Sequence, residues 1–137
     1  MTKEELSNTD SVSRRFPMEL ENLVDENTIL VQRTLRSGQS ICHDGNVVVL
    51  GDVNPGAEVV ATGNIIVMGS LRGVVHAGAK GDANAVIIGF RLRPTQLRIG
   101  NHITRPPEDE LSDPNYPELA RIKNGVVTIE TFNSTFK

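Results

Sequence analysis

With 137 residues, a formal net charge of -3 and a sequence pI near 5.6, the chain has room for one domain and carries no global basic field. That balance argues against nucleic acid as a partner, because a phosphate track needs clustered Lys and Arg. The one cysteine, Cys42, excludes an internal disulfide and the stapled secreted class, so a reducing, cytoplasmic setting is expected.

Residues 1–31 are polar and acidic, with few aromatics and no sustained apolar period. They cannot bury enough surface to repay the entropy of ordering, and a flexible leader or linker is expected, with at most a short helical turn over residues 18–24. The N-terminus holds no apolar run of the length a signal peptide requires. The longest purely aliphatic run in the repeats, residues 47–50, is far too short to span a bilayer, so any membrane association is expected to come through a partner.

From about Gln39 to Thr104 the sequence resembles itself, a signal that decides fold class. Gly45-Asn46-Val47-Val48-Val49-Leu50-Gly51 returns eighteen residues later as Gly63-Asn64-Ile65-Ile66-Val67-Met68-Gly69. Asn84-Ala85-Val86-Ile87-Ile88-Gly89 reads as a third copy, offset by twenty, and Asn101-His102-Ile103-Thr104 as a weaker fourth, offset by seventeen. A period near eighteen, made of β-branched runs broken by glycine, suits one solenoid coil of about three short strands. One coil cannot close a core, so three or more must stack about 4.8 Å apart. Stacking places Asn46, Asn64, Asn84 and Asn101 in one column, expected to form a structural amide ladder.

Residues 105–117 turn proline-rich and acidic and read as an irregular loop. Two strand-like runs, residues 119–123 and 126–131, flank Asn124-Gly125 and form either a hairpin or a last coil corner that caps the solenoid. The domain is expected over residues 32–132, with residues 133–137 as a tail.

No catalytic constellation emerges. In the repeat alignment His43, Ala61 and His76 share a column, which puts the two histidines about 9.5 Å apart, too far to share a metal. His43 and Asp44 are neighbours in a strand and point to opposite faces, which weakens them as a base and its orienting carboxylate. Gly78-Ala79-Lys80-Gly81-Asp82 lacks the spacing of a phosphate loop and reads as a longer corner. Zinc spacings and HExxH do not occur. Arg91, Arg93 and Arg98 read as a solvated face. No catalytic residue, metal ligand or cofactor is expected, and the chain is read as a non-enzyme.

Along the first strand of each coil, alternation defines two sets of columns. One holds Val47, Val49, Ile65, Val67, Ala85 and Ile87; the other holds Val48, Leu50, Ile66, Met68, Val86 and Ile88. Both are apolar, so the pattern leaves open which set faces inward. Either choice exposes about six stacked aliphatic side chains, near the limit for a soluble monomer. A strand apolar on both faces implies burial on both, and two-fold pairing is the commonest way to achieve it. A homodimer is expected, with Val48, Leu50, Ile66, Met68, Val86 and Ile88 as interface candidates.

Directly before the first repeat stands Arg36-Ser37-Gly38-Gln39, within TLRSGQ, and the chain ends on PELARIKNGVVTIE after ITRPPED. Taken with the solenoid between them, these stretches resemble the C-terminal domain of MinC, the bacterial division-site inhibitor, over about residues 33–132. The resemblance implies an all-β fold: a short right-handed triangular parallel β-helix with C-terminal capping strands, which dimerises and binds the membrane-associated ATPase MinD. It implies MinD-binding roles for Arg36, Ser37, Gly38 and Gln39. Arg36 would offer a planar multi-donor fork, Ser37 and Gln39 adaptable hydrogen bonds, and Gly38 close backbone approach. It further implies a cytoplasmic protein recruited to the inner face of the membrane by MinD, targeting inhibition of FtsZ ring assembly. Full-length members carry a separate N-terminal domain that opposes FtsZ polymerisation, and residues 1–31 are too short and polar to be it. Two other solenoid classes compete. A hexapeptide-repeat acyltransferase would use His43 or His76 as a base, but its hexad is not sustained here. A bactofilin-like filament scaffold would self-associate without MinD or ATP.

Overall fold

Short β-branched runs suit the pleated backbone and break where glycine turns the chain, so the repeats become short strands joined by tight corners. A computed structural model of the chain describes residues 27–105 and 115–132, and every regular element among them is a strand. Residues 1–26 of the expected leader, with its helical turn over residues 18–24, residues 106–114 of the expected loop, and the tail 133–137 lie outside the described residues.

Four strands stack in parallel on one side: β1 (Thr28–Val31), β3 (Asn46–Val49), β5 (Ile65–Leu71) and β7 (Ile87–Leu92). On a second side stand β2 (Ser40–His43), β4 (Glu58–Ala61), β6 (Val74–Ala77) and β8 (Gln96–Ile99), also parallel. The third side is a line of single contacts, with Leu35 bridging Val53, Val53 bridging Leu71, and Leu71 opposite Leu92. Three sides and four rungs make a short triangular β-solenoid. β1 falls inside the stretch expected to be a leader. Its eighteen-residue register to β3 places Ile29 opposite Val47 and Val31 opposite Val49.

The C-terminal end is closed by strands that run against the coil direction. Residues 101–104 are not a further parallel copy, because Gly100, at φ 57°, reverses the chain. The resulting β9 (His102–Thr104) pairs antiparallel with β8, Arg98 opposite Ile103. β10 (Glu118–Lys123) and β11 (Val126–Thr131) form a true hairpin, with Asn124 at φ 54° and Gly125 at φ 78° in its turn. β10 adds antiparallel to β7, and Ile122, Val127 and Ile129 pack against the core.

The core is a stack of inward-facing aliphatic side chains. Val47, Val49, Ile65, Val67 and Ile87 point inward from the first side, Val59, Ala61, Val75, Ala77, Leu97 and Ile99 from the second, and Leu35, Val53, Leu71 and Leu92 from the third. Each larger aliphatic buried in this way stabilises the fold by about 1.5–3 kcal/mol relative to exposure. At the corner before β3 an amide ladder runs along the stack. Asn46 Nδ2 donates to Thr28 Oγ1 at 3.1 Å, Asn46 Oδ1 accepts the Asn64 N–H at 2.8 Å, and Asn64 Oδ1 accepts the Val86 N–H at 2.8 Å. Asn84 and Asn101 are therefore outside the ladder. The corner between β6 and β7 is longer than its predecessors, which shifts the register so that Val86, not Asn84, stacks on Asn64.

Candidate functional site

Two surfaces stand out, a polar corner and an apolar face. The corner begins at Leu35, whose buried side chain fixes the chain against the third side while its carbonyl accepts the Asn54 N–H at 3.0 Å. Arg36, Ser37, Gly38 and Gln39 then form one tight turn. The Gln39 N–H donates to Arg36 O at 3.0 Å, and the Arg36 N–H donates to Gln39 Oε1 at 2.7 Å. Gly38 takes φ 88°, a left-handed conformation that favours glycine, and its N–H donates to Gly56 O at 2.9 Å. The next coil repeats the turn at Asn54-Pro55-Gly56, where Gly56 sits so close over Ser37 that a Cβ would strike its Oγ. All four residues expected at the site are thus brought together on one exposed corner. The physical role suggested for Gln39 narrows, however, since its carboxamide oxygen already closes its own turn by accepting the Arg36 N–H.

Stacking extends this corner. Backbone bonds from Asn54 to Leu35, Arg72 to Val53 and Arg93 to Leu71 put Arg36, Asn54, Arg72 and Arg93 in one line up the solenoid. Arg72 was missed by sequence reasoning, although it lies two eighteen-residue periods beyond Arg36. Arg91, Arg93 and Arg98 are not one track. Arg93 pairs with Glu118, while Arg98, on the second side, donates its Nε to Gly100 O at 3.2 Å.

On the first side the outward set is Val48, Leu50, Ile66, Met68, Val86 and Ile88, the set holding the interface candidates. The register places Val48, Ile66 and Ile88 in one column and puts Val86 opposite Asn64 rather than opposite Ile66. Phe90, which sequence reasoning did not single out, joins the face at 45% exposure beside Leu50 at 43% and Met68 at 49%. Where the outer face of this sheet meets the open end of the hairpin lies an open apolar groove of about 280 Å³, lined chiefly by Ile66, Met68, Ile88, Phe90, Pro117 and Phe132.

The histidines do not converge. His76 pairs in register with Val60, not Ala61, so it faces outward, with Nε2 3.0 Å from Gly100 O. His43 stands opposite Ala61 and turns inward, with Nε2 3.0 Å from Asn27 O. Asp44 serves the corner instead: the Thr62 hydroxyl donates to Oδ1 at 2.8 Å and Lys80 lies at 3.6 Å. The Thr62 hydrogen bond first, and the Lys80 ammonium second, hold the Asp44 carboxyl below its ordinary value. At residues 78–82 the N–H groups of Gly81 and Asp82 are taken by Gly78 O, which makes the segment a corner rather than an anion cradle. Among the described residues no three His, Cys, Asp or Glu side chains gather as metal ligands, and no helix is long and apolar enough to cross a membrane.

Fold and surfaces define the class: a short triangular parallel β-solenoid that offers an exposed polar corner and a flat apolar face. Residues 29–132 match the family described as "Septum formation inhibitor MinC, C-terminal domain", and the chain belongs to that family. It is 66% identical over 109 residues to the probable septum site-determining protein MinC of Heliobacterium modesticaldum, covering 80% of this chain and 38% of that relative. The corresponding protein of Persephonella marina is 49% identical over 101 residues, covering 74% of this chain and 50% of its own length. The chain thus spans half or less of these relatives. Among solved structures, the "MinC:MinD cell division protein complex" of Aquifex aeolicus is similar with a TM-score of 0.73 and 44% identity, covering 79% of this chain and 88% of that one.

Proposed function

We propose that this chain is a non-enzymatic docking and dimerisation module of a septum-placement inhibitor, which binds the ATPase MinD and thereby targets inhibition of FtsZ ring assembly. The observation that carries the reading is the turn of Arg36, Ser37, Gly38 and Gln39, held by its own backbone and the Gln39 carboxamide on an exposed corner, in a chain similar to one in a solved MinC:MinD complex. Preorganisation of that turn lowers the ordering cost of docking, and Arg36 supplies the planar donor fork that carboxylates and carbonyls accept. The outward apolar set, extended by Phe90, supports self-association, because a contiguous aliphatic patch of this size marks an interface and two-fold pairing is the commonest way to cover one. MinD brings the module to the inner face of the membrane, and the module contacts lipid only through it.

Co-sedimentation with MinD and lipid vesicles, with and without ATP, tests this reading. The chain pellets when MinD is on the vesicles and stays in the supernatant with vesicles alone. Failure to pellet with MinD in either nucleotide condition removes the reading, and concentration-dependent filaments formed without MinD favour the scaffold class instead.

A further inference from the structure

Three of the four positions in the corner line are arginines, yet they are not held alike. Arg36 and Arg72 are exposed, whereas the Arg93 side chain is only 27% exposed and folded back on the body of the domain. Its Nη1 donates to Leu92 O at 2.9 Å and reaches Glu118 Oε1 at 3.4 Å. Glu118 is the buried charged residue among the described residues, and the same Oε1 accepts the Leu92 N–H at 2.8 Å. A carboxylate so placed is tolerated when its oxygens are hydrogen-bonded and a cation stands beside it, and is costly otherwise.

Glu118 is also the first residue of β10, opposite Gly89 of β7 and Thr131 of β11. Beside it, Pro117 O accepts the Phe132 N–H at 2.8 Å, and Pro117 and Phe132 make the hairpin wall of the apolar groove. The Arg93–Glu118 pair therefore stands at the foot of that wall. β7 connects the two places directly, since Ile88 and Phe90 line the groove while Arg91 and Leu92 lead into the corner.

We propose that Arg93 is a positioning residue for the apolar face: withdrawn from the docking corner, it neutralises Glu118 and so sets the C-terminal hairpin that walls the groove. The arginines of one stacked line are then divided between two surfaces, Arg36 and Arg72 facing a partner and Arg93 serving the hairpin. The proposal rests on the corner and face readings above only for what each surface binds; the positioning itself is independent of them.

The test is amide hydrogen exchange on the full chain, with Tyr116, the one tyrosine in a chain without tryptophan and two residues before Glu118, as a fluorescent reporter. Arg93→Ala leaves a buried carboxylate without its cation, and exchange in β10 and β11 rises by about ten-fold or more while β3 and β4 keep wild-type protection. Tyr116 emission changes with it, self-association weakens, and co-sedimentation with MinD persists. Arg72→Ala leaves hairpin exchange unchanged. Arg93→Ala combined with Glu118→Gln removes the stranded charge and restores the hairpin, including the case in which Arg93→Ala alone does not fold. Wild-type exchange in Arg93→Ala, or no restoration by Glu118→Gln, overturns the proposal. Faster hairpin exchange with undiminished self-association supports the positioning of the hairpin and shows that self-association runs through the β3–β5–β7 face without the hairpin wall.

Discussion

The backbone N–H of Val86 donates to Asn64 Oδ1 at 2.8 Å across 22 residues, where the preceding rung joins Asn64 to Asn46 across 18. The fourth coil therefore stacks on the third with a changed period, and a side-chain amide carries the ladder over the break. Asn64 works in both directions, since its own N–H and Nδ2 donate to Asn46 Oδ1 at 2.8 and 3.1 Å. Asn64→Ala leaves the Val86 N–H without its acceptor at a partly buried corner, and stability falls by about 1–3 kcal/mol. Urea unfolding with an unchanged m-value measures it. Asn84→Ala, outside the ladder, serves as the control and stays within about 0.5 kcal/mol of the parent.

At the corner, Arg36→Ala removes an exposed side chain, so the melting temperature is retained while co-sedimentation with MinD is lost. Gly38 gives a different result. Space around it is open, with nothing within 4 Å of a Cβ, but φ 88° strains any L side chain. Gly38→Ala destabilises by about 1–2 kcal/mol through the backbone alone. A binding defect in that variant is interpretable only beside its unfolding curve.

The apolar face predicts opposite fates for neighbouring residues. Met68, 49% exposed, points out, so Met68→Asp gives a folded protein that runs as a monomer in light scattering. Val67, 1% exposed, points into the core, and Val67→Asp places a carboxylate among aliphatic side chains and unfolds the domain. An unmodified chain already monomeric at tens of micromolar contradicts the interface reading.

Asp44 predicts a pH effect with a definite sign. Its carboxyl is held below the ordinary 3.8 by the Thr62 hydroxyl and then by Lys80. A folded-state value depressed below the unfolded one means that the contribution is fully present above about pH 4 and is lost as pH falls through the folded value. The group is exposed, so the effect is small and screened by salt. Asp44→Asn and the parent converge in melting temperature once the pH falls below the folded carboxyl's depressed range, and the parent holds the advantage at neutral pH in low salt.

Much of this architecture is legible in the residues alone. The eighteen-residue return of Asn46-Val47-Val48-Val49 as Asn64-Ile65-Ile66-Val67 determines a parallel solenoid, because only stacked coils bring such equivalents into register. The same period carries back to Thr28-Ile29-Leu30-Val31, a strand obscured by the polar residues before it. The corner residues were singled out through family resemblance, whereas their common turn came from the structure, in the hydrogen bonds between Arg36 and Gln39. Which apolar set faces inward was not legible, since Val47 and Val48 are the same residue type and only packing against Val59 and Leu35 from the other sides separates them. The slip at Val86 was hidden for a related reason: an alignment wrong by two residues leaves every side chain on its proper face, because strand side chains alternate with a period of two. For His76 the alignment was wrong by one, and the face came out reversed. The groove and the Arg93–Glu118 pair belong to tertiary structure entirely. Their two halves are 25 residues or more apart in the chain, and an antiparallel hairpin added to β7 brings them together, a pairing that no repeat in the sequence encodes.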